Sequence, residues 1–197
     1  MNKKSGLLTG LMLPSGLLLW YLARNTEVLA ASLMASMPVV MLLFVNIFIE
    51  ESMRLLFALV FTLAIKKLAL PAKSGLWAVM AAASFAAMEN ISYLMAFPEA
   101  KLFLRILYSV PIHTNAAALY ALSIAWTQNR AKPLKLPVLA AFALACFWHY
   151  LFNIGAWYLP LKLVILPGFI LNAAATLALL LLLELIFVSG GYLYGRL

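Results

Sequence analysis

Four short patterns place side chains able to move protons or bind a metal inside otherwise apolar sequence: Glu50-Glu51-x-x-Arg54, Glu89-Asn90, His113, and His149-x-x-x-Asn153. In the first, Arg54 stands three and four residues from the acids, nearly on their helix face, so it neutralises one carboxylate and leaves Glu50 or Glu51 as a general base. His149 and Asn153 are four apart and share a face, which aims an imidazole and a carboxamide donor at one substrate oxygen. Glu89 adds a further carboxylate. Asn90, its neighbour, points elsewhere and serves either catalysis or an interhelical contact. A metal version uses the same residues differently: His113, His149 and either Glu89 or a Glu of the pair supply three protein ligands and leave one position open, as catalytic Zn2+ requires. There is no HExxH, and the histidines stand 36 residues apart. Only the fold can bring them together, so the metal and metal-free versions both stay open.

The elements that must position these groups are hydrophobic throughout. The chain of 197 residues is 66% hydrophobic and 10% charged, with mean hydropathy +1.04, against about 45–50% apolar content in soluble domains. A soluble globular domain is excluded, and the chain reads as one integral membrane domain over residues 1–197. Apolar stretches run from Leu7 to Ala23, Val28 to Ile65, Leu76 to Phe97, Leu102 to Trp126, Val138 to Leu159 and Leu163 to Val188. The net charge of +8 comes from basic residues at span ends, which argues for orientation in a bilayer and against nucleic-acid binding. Nine connector cations on one side face four on the other, the latter being Arg24, Lys101, Arg105 and Lys162. The positive-inside rule then puts both termini in the cytoplasm, with the protein in the plasma (inner) membrane. The single cysteine, Cys146, excludes a disulfide framework and a CxxC site.

The stretch from Val28 to Ile65 is too long for one straight span of a hydrocarbon core about 30 Å thick. A break near Pro38 is expected, with a partial or re-entrant segment before it and a spanning helix from about Val39. The fold class is therefore all-α, a polytopic transmembrane bundle of about six net crossings.

Counting about 1.5 Å per helical residue from the cytoplasmic connectors puts Glu50, Glu51, Glu89, His113 and His149 at one depth, about 18–24 Å in. Each ionisable group at a span centre costs at least about 2.5–3.5 kcal/mol, whereas an interhelical hydrogen bond returns only about 0.6 kcal/mol. A cluster so rich in titratable groups is an inefficient way merely to hold helices together, and it reads as a functional site. Proton-coupled transport and a silent scaffold for other transmembrane helices use similar clusters. The absence of an internal repeat counts against transport. The Ala81-Ala82-Ala83, Ala116-Ala117-Ala118 and Ala173-Ala174-Ala175 runs would suit a scaffold or ordinary internal packing.

At these residues the chain resembles the PrsW family of polytopic intramembrane proteases, within the larger group that includes the CAAX prenyl endopeptidases. The resemblance rests on Glu50-Glu51-Ser-Met-Arg54, Phe85-Ala-Ala-Met-Glu89-Asn90-Ile-Ser-Tyr93, Arg105 followed by Pro111-Ile-His113, and His149-Tyr-Leu-Phe-Asn153, in that order. Arg54 stands where the family usually has Lys, and the first motif is one residue shorter than the Glu-Glu-x-x-x-Arg of the CAAX endopeptidases. The resemblance implies hydrolysis of a peptide bond in or near a transmembrane segment, with a membrane-protein substrate such as an anti-sigma factor. Glu50 or Glu51 would then be the base, with Glu89 as second carboxylate. His149 and Asn153 would polarise the scissile carbonyl, His113 would position the water, and Arg105 would assist or anchor its span.

Overall fold

The computed structural model describes residues 3–67, 74–96, 102–129, 135–158, 170–175, 177–179 and 181–182. Among these residues there are helices and no strands. The helices are α1 (Lys3–Leu33), α2 (Val39–Lys67), α3 (Ser74–Ala96), α4 (Leu102–Asn129) and α5 (Lys135–Tyr158), followed by a C-terminal helical stretch over the last three ranges.

The first helix is longer than its apolar run. Arg24 to Glu27, expected as a connector, is helical because its polar side chains bond back along the helix. Asn25 donates to the Tyr21 carbonyl at 2.7 Å and Thr26 to that of Leu22 at 2.8 Å, while Arg24 pairs with Glu27 at 3.4 Å. The chain does break at Pro38, whose carbonyl opens α2 by accepting from the backbone N–H groups of Met41 and Leu42. The residues before it form no separate re-entrant segment, however. Residues 28–33 are the last turns of α1.

Polarity is inverted relative to a soluble protein. Leu18, Leu33, Met95, Leu136 and Phe147 are exposed, while Glu51, Asn90, His113 and Thr127 are almost fully enclosed. Among the described residues, two helices are long and apolar enough to span a bilayer, by length and composition: α3 over Ala78–Ala96 and α5 over Leu136–Gly155. Every 18-residue window of α2 contains Glu50, Glu51 and Arg54, so the charged groups themselves remove that helix from the set.

Small residues set the helix spacing. Ala78 and Ala82 of α3 pack on Ala117 of α4, and Ala81, Ala86, Ala116 and Ala118 are also buried. Two of the three alanine runs are thus used for internal packing. Gly16 lets α1 cross α3 closely, since a Cβ there would lie 2.6 Å from the Ser84 Cβ and would also strike the Ala81 carbonyl oxygen. At the far side Asn172 ties the C-terminal stretch to α4 and α5. Its backbone carbonyl accepts from Asn115 at 3.3 Å and its side-chain oxygen from Trp148 at 2.9 Å.

Candidate active site

Helix α2 contributes an acid pair gathered by one guanidinium. Arg54 donates through Nη2 to Glu50 at 2.6 Å and through Nη1 to Glu51, while its guanidinium carbon lies 4.5 Å from the centre of the Phe85 ring. Adjacent helix positions point about 100° apart, so the acids have different surroundings. Glu51 has no solvent exposure; it accepts from the Tyr120 hydroxyl at 2.8 Å and from Nδ1 of His149 at 2.9 Å, in addition to Arg54. Its oxygens are committed to three donors on α2, α4 and α5. That arrangement suits an anchor for His149 and leaves Glu51 poorly placed to act as a base.

The histidines meet at the centre. Their ring centroids are 5.3 Å apart, and His113 also packs edge-on against Phe85. His113 donates through Nε2 to Glu89 at 2.5 Å, and its Nδ1 is buried without a hydrogen-bond partner among the described residues. His149 is held through Nδ1 by Glu51, which leaves Nε2 as its second nitrogen. Each imidazole is thus fixed at one nitrogen by a carboxylate, the support that metal-binding histidines receive from the residues behind them.

Glu50, His113 and His149 each offer a ligand atom, and these atoms all lie within 4.8 Å of one another. Two imidazoles and one carboxylate, all buried, make a donor set suited to a catalytic divalent ion such as Zn2+, and the orphaned His113 nitrogen fits that use. The carboxylate of this group is Glu50. Glu89, expected alongside the Glu50–Glu51 pair as a possible third ligand, stands outside this group and bonds His113 through one oxygen. With a side chain 27% exposed, Glu89 is more open to the cleft than Glu50 or Glu51.

A cleft of about 200 Å³ runs from this cluster between α1, α2, α3 and α5, and its walls include Trp20, Glu27, Asn46, Glu50, Glu89 and Asn153. Asn153, one turn beyond His149, therefore borders the same space as the acids. Asn90 does not border it; it donates to the Ala86 carbonyl at 2.7 Å and to the Ser109 hydroxyl at 3.2 Å, tying α3 to α4. Arg105 lies on α4, and its side chain is outside the described residues.

Sequence reasoning missed Glu27, Asn46 and Tyr120. Tyr120 was accessible as the residue seven beyond His113, two turns along one face, and Asn46 as the residue one turn before Glu50. Glu27 is buried within hydrogen-bonding reach of Glu50; its signal was the Arg24-x-x-Glu27 pair continuing an apolar helix.

No curated protein and no solved structure matches the chain. The family model described as PrsW family intramembrane metalloprotease matches residues 6–184. A buried two-histidine, one-carboxylate group inside an apolar-surfaced helical bundle agrees with that match, and the chain belongs to the PrsW family of membrane-embedded intramembrane metalloproteases, which makes it a hydrolase.

Proposed function

We propose that the protein hydrolyses a peptide bond in or beside a transmembrane segment of a membrane protein, with Glu50, His113 and His149 holding a divalent ion and Glu89 serving as general base. The observation that carries this reading is the convergence of three ligand atoms within 4.8 Å, with both imidazoles braced by carboxylates. When bound there, Zn2+ supplies Lewis-acid polarisation of the scissile carbonyl and a more acidic water. Glu89, the most open of the three acids, takes the proton of the attacking water and returns it to the leaving amine. Asn153 donates its carboxamide N–H to the oxygen on which charge develops. Glu51 and Tyr120 act through His149 by fixing its ring, while Arg54 balances the acid pair and keeps Glu50 oriented.

In this reading α1, α2 and α4 cross the bilayer with α3, α5 and the C-terminal stretch, giving six crossings with both termini in the cytoplasm of a cell bounded by this plasma membrane. Residues 1–197 act as one domain. The substrate is a single-pass protein, such as a membrane-held regulator of the anti-sigma type, because the site is enclosed by helices whose outer faces are apolar.

The test compares membrane proteomes of cells lacking the protein after adding back wild type, Glu89→Gln or His149→Ala at matched abundance. Truncated single-pass proteins that appear only with wild type support the reading and name the substrate. Fragment patterns unchanged by either substitution would refute it and turn attention to a scaffold or a transporter built on the same cluster.

A further inference from the structure

A hydroxyl inside a helix commonly bonds back to the carbonyl three or four residues earlier, as Ser15, Ser92, Thr114, Ser123 and Thr127 do here. The Ser109 hydroxyl, buried on α4 one turn before His113, reaches across to α3 and donates to Oε2 of Glu89 at 3.4 Å. His113 donates to the same oxygen at 2.5 Å. The direction of the Ser109 bond follows from its other neighbour. Nδ2 of Asn90 lies 2.7 Å from the Ala86 carbonyl oxygen and 3.2 Å from Ser109 Oγ. A carbonyl only accepts, so the asparagine atom between them is the amide nitrogen, and each of its hydrogens has a taker. Ser109 Oγ therefore receives a hydrogen from Asn90 and turns its own toward Glu89, whose ionised carboxylate only accepts. The Asn90 oxygen is buried with no hydrogen-bond partner among the described residues. An amide kept with its oxygen unsatisfied is oriented by what its nitrogen does.

Resting on the protease reading above, we propose that Ser109 is a positioning residue for the general base: oriented by Asn90, it fixes the Glu89 carboxylate beside His113. Glu89 is the most open of the three acids, and a bond to His113 alone would let its carboxylate swing about that contact. A second donor one turn earlier on the same face of α4 removes that swing. The adjacent pair Glu89-Asn90 gains a joint purpose. Their side chains leave α3 about 100° apart, the acid toward the cleft and the amide toward α4, and both meet the Ser109 hydroxyl. Such a second donor matters because a reacting group misplaced by about 1 Å can lose about 10²-fold in rate. Ser109 itself is not part of the cleft wall, so it acts through Glu89 and touches no substrate.

The experiment uses the full-length, Zn2+-loaded protein in lipid nanodiscs and a synthetic peptide spanning a cleavage point recovered in the proteome comparison. Ser109→Ala should lower kcat by about tenfold, the lower end for a hydrogen bond to a charged group, and leave KM unchanged. Ser109→Thr, which keeps the hydroxyl, should return most of the lost kcat. Ser109→Cys, close in size but a weak donor, should fall between the two, and it serves as the test where Ala or Thr fails to fold. Zn2+ affinity against a competing chelator should stay near wild type in Ser109→Ala, because His113 keeps its own bond to Glu89. Asn90→Ala should lower kcat in wild type and add little to Ser109→Ala, and Ser109→Ala should cost nothing further in a Glu89→Gln background. Wild-type kcat in Ser109→Ala, or an equal fractional loss in the wild-type and Glu89→Gln backgrounds, would overturn the Ser109 assignment alone, provided Glu89→Gln itself disables cleavage. Full cleavage by Glu89→Gln would overturn Glu89 as the base and this assignment with it. Failure of wild type to generate any fragment in the proteome comparison would overturn the protease reading as a whole.

Discussion

Tyr120→Phe isolates the claim that Glu51 works through His149. The change removes one oxygen and keeps the ring, so it opens almost no cavity and alters no charge. What it deletes is a 2.8 Å hydrogen bond to a fully enclosed carboxylate. Hydrogen bonds to charged groups contribute about 1.5–3 kcal/mol, which at about 1.4 kcal/mol per factor of ten corresponds to roughly 10–100-fold in an equilibrium constant. Loss of a partner behind a metal-binding histidine costs about 10–100-fold in metal affinity or activity, so both routes give the same range. Tyr120 is not part of the cleft wall, and the loss should fall on kcat and on Zn2+ affinity measured against a competing chelator, with KM unchanged. Because Tyr120 reaches His149 only by way of Glu51, the same substitution made in a Glu51→Gln background should cost far less than in wild type. An equal loss of kcat in both backgrounds would refute the chain Tyr120–Glu51–His149 and reopen Glu51 as a base.

Glu89→Gln should lower kcat by about 10²–10⁴-fold at saturating Zn2+, and it should also weaken metal affinity because the carboxylate behind His113 becomes an amide; retention of full cleavage would move the base elsewhere. Chelation should abolish cleavage and lower the melting temperature, and Zn2+ should restore both, since an ion bound to the folded form stabilises it by mass action; activity that survives removal of all bound metal would reject the metal version. Gly16→Ala should destabilise the bundle by about 1–3 kcal/mol through overpacking against Ser84 and the Ala81 carbonyl. Gly10→Ala, which meets nothing within 4 Å inside α1, should melt at or slightly above the wild-type temperature.

Much of this architecture is legible from hydropathy because polar residues are scarce and their depth can be counted. Glu50, Glu51, Glu89, His113 and His149 share a level in the sequence, and in the structure α2, α3, α4 and α5 bring them together. Which acid of the adjacent pair groups with both histidines is a matter of helix rotation: a turn of about 100° separates Glu50, which lies with His113 and His149, from Glu51, enclosed by Tyr120, Arg54 and His149, and no pattern in one strand of sequence fixes that angle. Tyr120 escaped because a tyrosine in an apolar helix also suits an interface or a core. Glu27 escaped because the polar Arg24-Asn-Thr-Glu27 tract reads as the end of a span, whereas hydrogen bonds back to Tyr21 and Leu22 carry the helix past it. The absent re-entrant segment has the same cause, since a continuing α1 already accounts for the residues before Pro38.

The attachment of Asn172 to Asn115 and Trp148 bears on how far the chain can be shortened. Asn115 follows His113 by two residues and Trp148 precedes His149 by one, so a residue far beyond the last motif adds a tie beside the direct packing of the two helices that carry the imidazoles. A shortened version ending soon after Asn153 would keep every group of the candidate site and lose that tie between their helices. Boundaries for deletions, split fusions or domain grafts should therefore be drawn downstream of Asn172.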